Sequence, residues 1–304
     1  MLAEHTRLIL VAQPGAGKTT RVPLMLLSSA WAQGQRLLLV EPRRVAARLA
    51  ATFMASQLNE QIGETVGYRM RGDSNVGPNT RLEVVTQGVL TRILQDDPLL
   101  EGVAGIIFDE FHERSIEADL GLALALDVQE SIRDDLRLMV MSATLDVAAL
   151  KGVLGSDTPV IESSGREFSV ETRYCPVEAH ESLDRAALRV TKEALKREGS
   201  RDVLVILPGI AEISQLVQAL ESSSMDVEIR ALHGSMPLDA QQAALRPLTT
   251  RQRVIVSTAI AESSVTVDGV NSVIDAGLER VPLFNPRTGL TRLMTRRVNR
   301  VSAD

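Results

Sequence analysis

Short aliphatic runs alternate with longer amphipathic windows along most of the chain. RLILVA at 7–12, RLLLVE at 36–41, LEVVT at 82–86, GIIFDE at 105–110 and LRLMVMSAT at 136–144 each read as a strand. The windows 18–32, 42–58, 88–95, 115–130 and 146–152 that follow them read as helices. Strand then helix, repeated with short polar connections, predicts a mostly parallel sheet covered on both faces. The pattern weakens around GVLGSDTPV at 152–160 and resumes after SSGREFSVE at 163–171. There follow a helix at about 182–197, the strand DVLVILP, a helix at 210–221, the strand VEIRAL, a helix near 238–245, and the strands RVIVST and VNSVIDA. Two α/β domains, residues 1–165 and 166–304, are the simplest account. One segment breaks the alternation: VPLFNPRTGLTRL at 281–293 has extended runs on either side of N-P-R-T-G and predicts a β-hairpin.

Composition narrows the class. The chain has 304 residues, enough for two cores, and only 3% aromatic residues beside many aliphatic ones, which suits sheets of Val, Ile and Leu. A formal charge of -6 gives no global attraction to a polyanion, so binding one requires a local basic groove. Cys175 is the single cysteine, which excludes an internal disulfide and any cysteine zinc cluster and fits a reducing cytoplasm. The N-terminus MLAEHTR lacks the basic start of a signal peptide, and LGLALALDV at 120–128 is too short to span a bilayer.

Chemistry enters with AQPGAGKTT at 12–20, which follows a strand and opens a helix. Gly15 and Gly17, with Ala16 between them, let the backbone curl so that its amides point inward, and the helix N-terminus adds positive potential. Lys18 would reach the β and γ phosphates, while the Thr19 hydroxyl, followed by Thr20, would hold magnesium. Ala12 stands where the usual pattern begins with glycine. By spacing alone the loop also reads as a tight glycine turn before a helix. Asp109 and Glu110 end a later strand, and read alone they are an acidic loop. In a parallel sheet both strand ends open on one side, so Asp109 can hold the same metal through water and Glu110 can orient or deprotonate an attacking water. The four histidines, His5, His112, His180 and His233, are too widely spaced for a metal site, and no serine has the G-x-S-x-G context of a hydrolase.

D-E-F-H at 109–112, followed by E-R-S, resembles the DEAH-box branch of superfamily 2 helicases, and its phenylalanine is similar to the bacterial HrpB-like group. The likeness spans nearly the whole chain: AQPGAGKTT resembles motif I, EPRRVAAR at 41–48 motif Ia, TQGVLTR at 86–92 motif Ib and SAT at 142–144 motif III. LPGIAEI at 207–213 resembles motif IV and STAIAESSVTVDG at 257–269 motif V, and the hairpin falls where this branch carries its strand-splitting hairpin. The branch also commonly starts motif I with a small residue other than glycine.

The resemblance implies two tandem RecA-like P-loop domains, the second incomplete, and an ATP-driven motor on single-stranded RNA, with DNA left open. It implies ATP contacts from Gly15, Ala16, Gly17, Lys18, Thr19, Thr20, Ser264, Thr266 and Asp268, with magnesium at Thr19 and, through water, Asp109. Glu110, Asp109 and His112 would carry catalysis, His112 coupling it to the second domain, while Ser142 and Thr144 would relay that coupling. Arg43, Arg44, Thr86, Gly88 and Thr258 would contact nucleic-acid phosphates without reading sequence. Two cations at a helix start oppose the helix dipole, which also hints at a use for Arg43 and Arg44 beyond a solvated face.

Departures from the family pattern are specific. Ala259 replaces the Asn of motif V and Ser263 its second Thr, and Phe53 stands near where an Arg often meets adenine, able to stack there or to be core. Motif VI, with its arginine fingers, would follow residue 304, so the chain reads as a helicase core cut short and feeble in hydrolysis; a missing finger costs about 10³ to 10⁵ in rate in comparable enzymes. Arg296, Arg297 and Arg300 precede that motif and are not its fingers. A nucleotide- and nucleic-acid-binding module without useful turnover is the second reading. A small-molecule kinase is the third.

Overall fold

The computed structural model describes residues 1–13, 15–143, 147–163, 169–197, 199, 201–246, 251–259, 267 and 269–298. The chain divides into two compact units, Met1–Ser169 and Val170–Asp304. The boundary expected at 165 falls outside the described residues.

In the first unit β1 (Arg7–Ala12) leads into α1 (Lys18–Leu26), then β2 (Arg36–Glu41), α2 (Arg44–Gln57), β3 (Val66–Met70), β4 (Asp73–Asn75), β5 (Leu82–Thr86) and α3 (Gln87–Asp96). β6 (Val103–Phe108), α4 (Ile116–Ser131), β7 (Arg137–Ser142), α5 (Val147–Leu154) and β8 (Val160–Ser163) complete it. The eight strands lie in the order β4-β3-β5-β2-β6-β7-β1-β8, all parallel to their neighbours except the edge strand β4. β6 is buried at every position, the signature of a strand covered on both faces. Ile9, Leu38, Val40, Ile106, Phe108 and Val140 from the central strands pack with Leu90, Leu122 and Leu126 of the helices in one core. No described helix is long and apolar enough to cross a membrane.

The second unit runs α6 (Leu183–Leu195), β9 (Asp202–Ile206), α7 (Ile210–Glu221), β10 (Val227–Leu232), α8 (Leu238–Leu245), β11 (Gln252–Ser257) and β12 (Val270–Asp275). Its sheet is parallel throughout, in the order β10-β11-β9-β12. β13 (Leu278–Asn285) and β14 (Leu290–Arg297) form the hairpin, three to four residues longer on each side than the sequence pattern predicts. Its register continues through Leu278 opposite Arg297, where polar residues alternate and hide the strand from a hydrophobicity reading.

Three differences have local causes. The helix expected over 18–32 stops at Leu26, because the Ser28 hydroxyl and the amides of Ser28 and Ser29 close the last turn on Met25 and Leu26, at 2.7, 3.3 and 3.0 Å. β3 was not anticipated: it contains Arg69, a poor core residue by pattern, which is held 2.7 Å from the buried carboxylate of Glu83. Gly67 in that strand is required, since a Cβ there would stand 2.6 Å from the Asn75 carbonyl oxygen. The strand expected through Glu110 ends at Phe108, with Asp109 bonding on to the Val40 carbonyl at 3.0 Å before the backbone turns.

Candidate nucleotide site

The C-terminal ends of β1, β2, β6 and β7 share one edge of the parallel sheet, and the chemistry gathers there. After β1 the chain turns through Gly15 and Gly17, at φ 78° and 80°, a region that glycine enters without steric cost. Gly17 caps α1 without any side-chain hydrogen bond, so it supplies no capping acceptor to the first helical amides. No atom lies within 4 Å of a Cβ built at Gly15, so open space adjoins the loop there. Ala12 is the last residue of β1, buried and in register with Ser163, where a methyl group fits.

Lys18 starts α1 and turns inward, only 5% exposed, with Nζ donating to Glu110 Oε1 at 2.8 Å. Beside it the Thr19 hydroxyl donates to Asp109 Oδ2 at 2.5 Å. Asp109 Oδ1 in turn accepts the Glu110 amide at 2.8 Å, which fixes the carboxylate's orientation. Glu110 adopts φ 49° and ψ 38°, a left-handed conformation that a non-glycine residue holds only at a cost of about 1–3 kcal/mol. The turn is anchored from both sides. Phe111 is buried edge-to-face on Phe108 with ring centroids 6.2 Å apart, and Ser115 caps α4 through the Ala118 amide while donating to Gln87 Oε1 at 2.8 Å.

Burial and crowding of acids set the electrostatics. Asp109 is pushed up to about 6, first by burial and then by Glu110, against the opposing influence of Lys18 and its own hydrogen bonds. Glu41, the last residue of β2, is held well above the usual carboxylate range by burial and by Asp109, Glu110 and Glu113. Glu41 is fully buried and neither carboxylate oxygen has a hydrogen-bond partner. Sequence reasoning passed over it, although its signal is the same as that of Asp109: an acid closing a buried strand.

Other expected residues fall as follows. His112 Nδ1 lies 3.3 Å from Glu110 Oε2 but is not hydrogen-bonded to it. Ser142 is fully buried at the end of β7. Arg43 caps α2 and pairs with Glu113 at 3.5 Å, while Arg44 is exposed. Thr86 caps α3, and Gly88 is exposed with open space about it. Phe53 is 50% exposed on α2, so it is not core. In the second unit the amide of Thr258 donates to the Leu232 carbonyl at 3.3 Å. Thr20 is half-buried in α1. Thr144, Ser264, Thr266 and Asp268 lie outside the described residues.

Two family models match the chain in order: the DEAD/DEAH box helicase over residues 1–152 and the helicase conserved C-terminal domain over 186–301. The chain belongs to the DEAD/DEAH box helicase family. Within that family it is 50% identical over 298 residues to the ATP-dependent RNA helicase HrpB of Escherichia coli K12, covering 97% of this chain and 36% of that protein. It is 31% identical over 306 residues to an HrpA homolog named ATP-dependent RNA helicase, from Haemophilus influenzae, covering all of this chain and 23% of that protein. A crystal structure of the E. coli DEAH/RHA helicase HrpB superposes with a TM-score of 0.90 at 49% identity, over 98% of this chain and 38% of that one. A second, of the E. coli DExH-box NTPase HrpB, gives 0.81 at 49% identity over 98% of this chain and 37% of that one. The chain thus spans little more than a third of the HrpB length. Both units are the tandem RecA-like domains of this helicase family, as the motif series implies.

The residues present fit a magnesium nucleotide. Glycine-shaped loop, lysine, hydroxyl and carboxylate are the donor set that such a group requires, and the orphaned oxygens of Glu41 lie in the same crowd of acids. Among the described residues no group of three or more His, Cys, Asp or Glu side chains converges as direct metal ligands.

Proposed function

We propose that this chain is the motor core of an ATP-dependent RNA helicase of the HrpB type, binding magnesium ATP and hydrolysing it as the protein moves on or remodels single-stranded RNA in the cytoplasm. The observation that carries the reading is the double contact across one sheet edge, Lys18 to Glu110 at 2.8 Å and Thr19 to Asp109 at 2.5 Å, under a loop built for an anion. The names of the relatives support RNA as the polymer.

The division of labour follows from the donors. Amides of the loop and of the first turn of α1 cradle the phosphates, and Lys18 brings a cation to them. Thr19 and Asp109 would hold magnesium, which when bound neutralises the charge of the β and γ oxygens. Glu110, in its left-handed turn, presents a carboxylate to orient the attacking water and accept its proton. Arg43, Arg44, Thr86 and Gly88 in the first unit, and Thr258 in the second, supply phosphate contacts on RNA or DNA backbones that carry no sequence information. His112 would couple the nucleotide site to the second domain, with Ser142 and Thr144 relaying that coupling, and Ser264, Thr266 and Asp268 are carried as ATP contacts by their match to motif V.

The test is nucleotide binding and phosphate release by the 304-residue chain with and without single-stranded RNA, beside Lys18→Ala and Glu110→Gln. Nucleotide binding that Lys18→Ala weakens, with slow phosphate release that Glu110→Gln lowers further, is the expected result. Binding without release would favour a nucleotide-responsive binding module, and absence of nucleotide binding would remove the reading altogether.

A further inference from the structure

Glu41 has no place in the division of labour above, yet its situation demands one. A fully buried carboxylate with both oxygens unpaired forfeits its hydration and gains nothing in return. Apolar packing would serve better at a strand end that only needed filling. The neighbours make the placement worse in the absence of a cation: Asp109, Glu110 and Glu113 all bear on it with like charge, and Lys18 alone opposes them. Lys18 is already engaged with Glu110.

Register fixes where the side chain points. β2 and β6 are parallel neighbours with Val40 opposite Phe108, so Glu41 stands beside Asp109, and the Asp109 amide bonds to the Val40 carbonyl at 3.0 Å. Side chains at matched positions of adjacent strands project to the same face, about 5 Å apart. Glu41 is therefore placed beside Asp109, within electrostatic reach of Lys18, Glu110 and Glu113.

We infer that Glu41 is a positioning residue of the nucleotide site, whose carboxylate holds, through water, the hydrated divalent cation that Thr19 and Asp109 bind. The inference rests on the nucleotide reading of this site. A doubly charged, strongly hydrated cation supplies what Glu41 lacks: water hydrogens to satisfy both oxygens and positive charge to offset three neighbouring acids. It also accounts for a glutamate whose own oxygens bond to no protein group.

The experiment uses the whole 304-residue chain, with the affinity of a fluorescent ADP analogue measured in EDTA and across a magnesium titration, and manganese binding read by electron paramagnetic resonance. Glu41→Gln keeps the shape and removes the charge. Its nucleotide affinity in EDTA should not fall below that of the unaltered chain, while its apparent magnesium and manganese affinities fall by about 10- to 100-fold, as for other outer-shell partners. Glu41→Asp, which keeps the charge one methylene further back, should lose less, and it decides the matter if the Gln variant does not fold. Unchanged metal affinity in whichever variant folds would overturn the inference and leave Glu41 a packing residue. Failure of the unaltered chain to bind magnesium nucleotide would instead bring down the nucleotide reading and this inference with it.

Discussion

Lys18 Nζ and Glu110 Oε1 lie 2.8 Å apart in a pair of side chains 5% and 9% exposed, so the cation expected on phosphate and the acid expected on water are held together. One of the three lysine donors is thereby committed, and the anionic acid sits where further negative charge must arrive. Glu110→Gln removes that anion while keeping the shape. The variant should bind ATP about 3- to 10-fold more tightly, the worth of roughly one exposed-to-buried charge contact, even as hydrolysis falls. Equilibrium titration with a non-hydrolysed analogue checks this, and weaker binding by the variant would contradict it.

Asp109 gives a pH dependence of definite sign in the metal-free chain. It ionises at about 6 when folded, against an ordinary value near 3.9 when unfolded. Between those pH values the folded state keeps a proton that the unfolded state has released, so stability falls as pH rises from about 4 to about 6 and stays lower above. Asp109→Asn abolishes this contribution. Trp31, the single tryptophan, lies in the first unit with Arg137 stacked 5.4 Å from its ring, and its fluorescence reports unfolding of that unit. In EDTA the urea midpoint of Asp109→Asn should gain on that of the unaltered chain across this window; a difference independent of pH would refute the assignment.

What was legible in the sequence was what periodicity and glycine spacing encode. Each central strand of both sheets was marked by an aliphatic run, and the loop at Gly15 and Gly17 by its place between strand and helix. β3 and β8 were hidden because one pairs an arginine with a buried glutamate and the other is a four-residue edge strand. The approach of Lys18 to Glu110 was implied only as far as parallel strand ends coincide. The isolation of Glu41 could not be read at all, because whether a buried acid has partners depends on side chains brought from the ends of other strands. The pairing of Arg43 with Glu113 was unseen for the same reason.

That pairing modifies the expected RNA contact. Arg43, half-buried at the start of α2, lies 3.5 Å from Glu113, whose other oxygen is buried without a hydrogen bond. A phosphate must compete with Glu113 for the guanidinium, in a surface whose formal charge is unfavourable overall. Arg43→Ala should weaken single-stranded RNA binding about equally for all sequences and reduce the salt slope by about one. Glu113→Gln should strengthen binding. Fluorescence anisotropy of labelled homopolymers over a salt series separates the two, and no change in either variant would remove Arg43 from the RNA surface.

The second unit depends on one buried charge pair. Arg253 of β11 is fully buried, its Nε and Nη2 donating to Asp202 Oδ2 at 2.9 and 2.8 Å and its Nη1 to the carbonyls of Ala244 and Arg246 at 3.3 and 2.5 Å. Asp202 Oδ1 accepts the Arg253 amide at 2.9 Å, so side chain and backbone of neighbouring strands β9 and β11 are clamped together. Removing the acid leaves a guanidinium buried without its counter-charge, a larger loss than the pair itself contributes. Asp202→Ala should destabilise this unit by about 3–5 kcal/mol. The double variant Asp202→Leu with Arg253→Met should cost less, because no lone charge remains and the space is refilled. Amide hydrogen exchange in β9 and β11 measures both, and a double variant less protected than Asp202→Ala would show that the clamp's backbone bonds, rather than the buried charge, hold these strands.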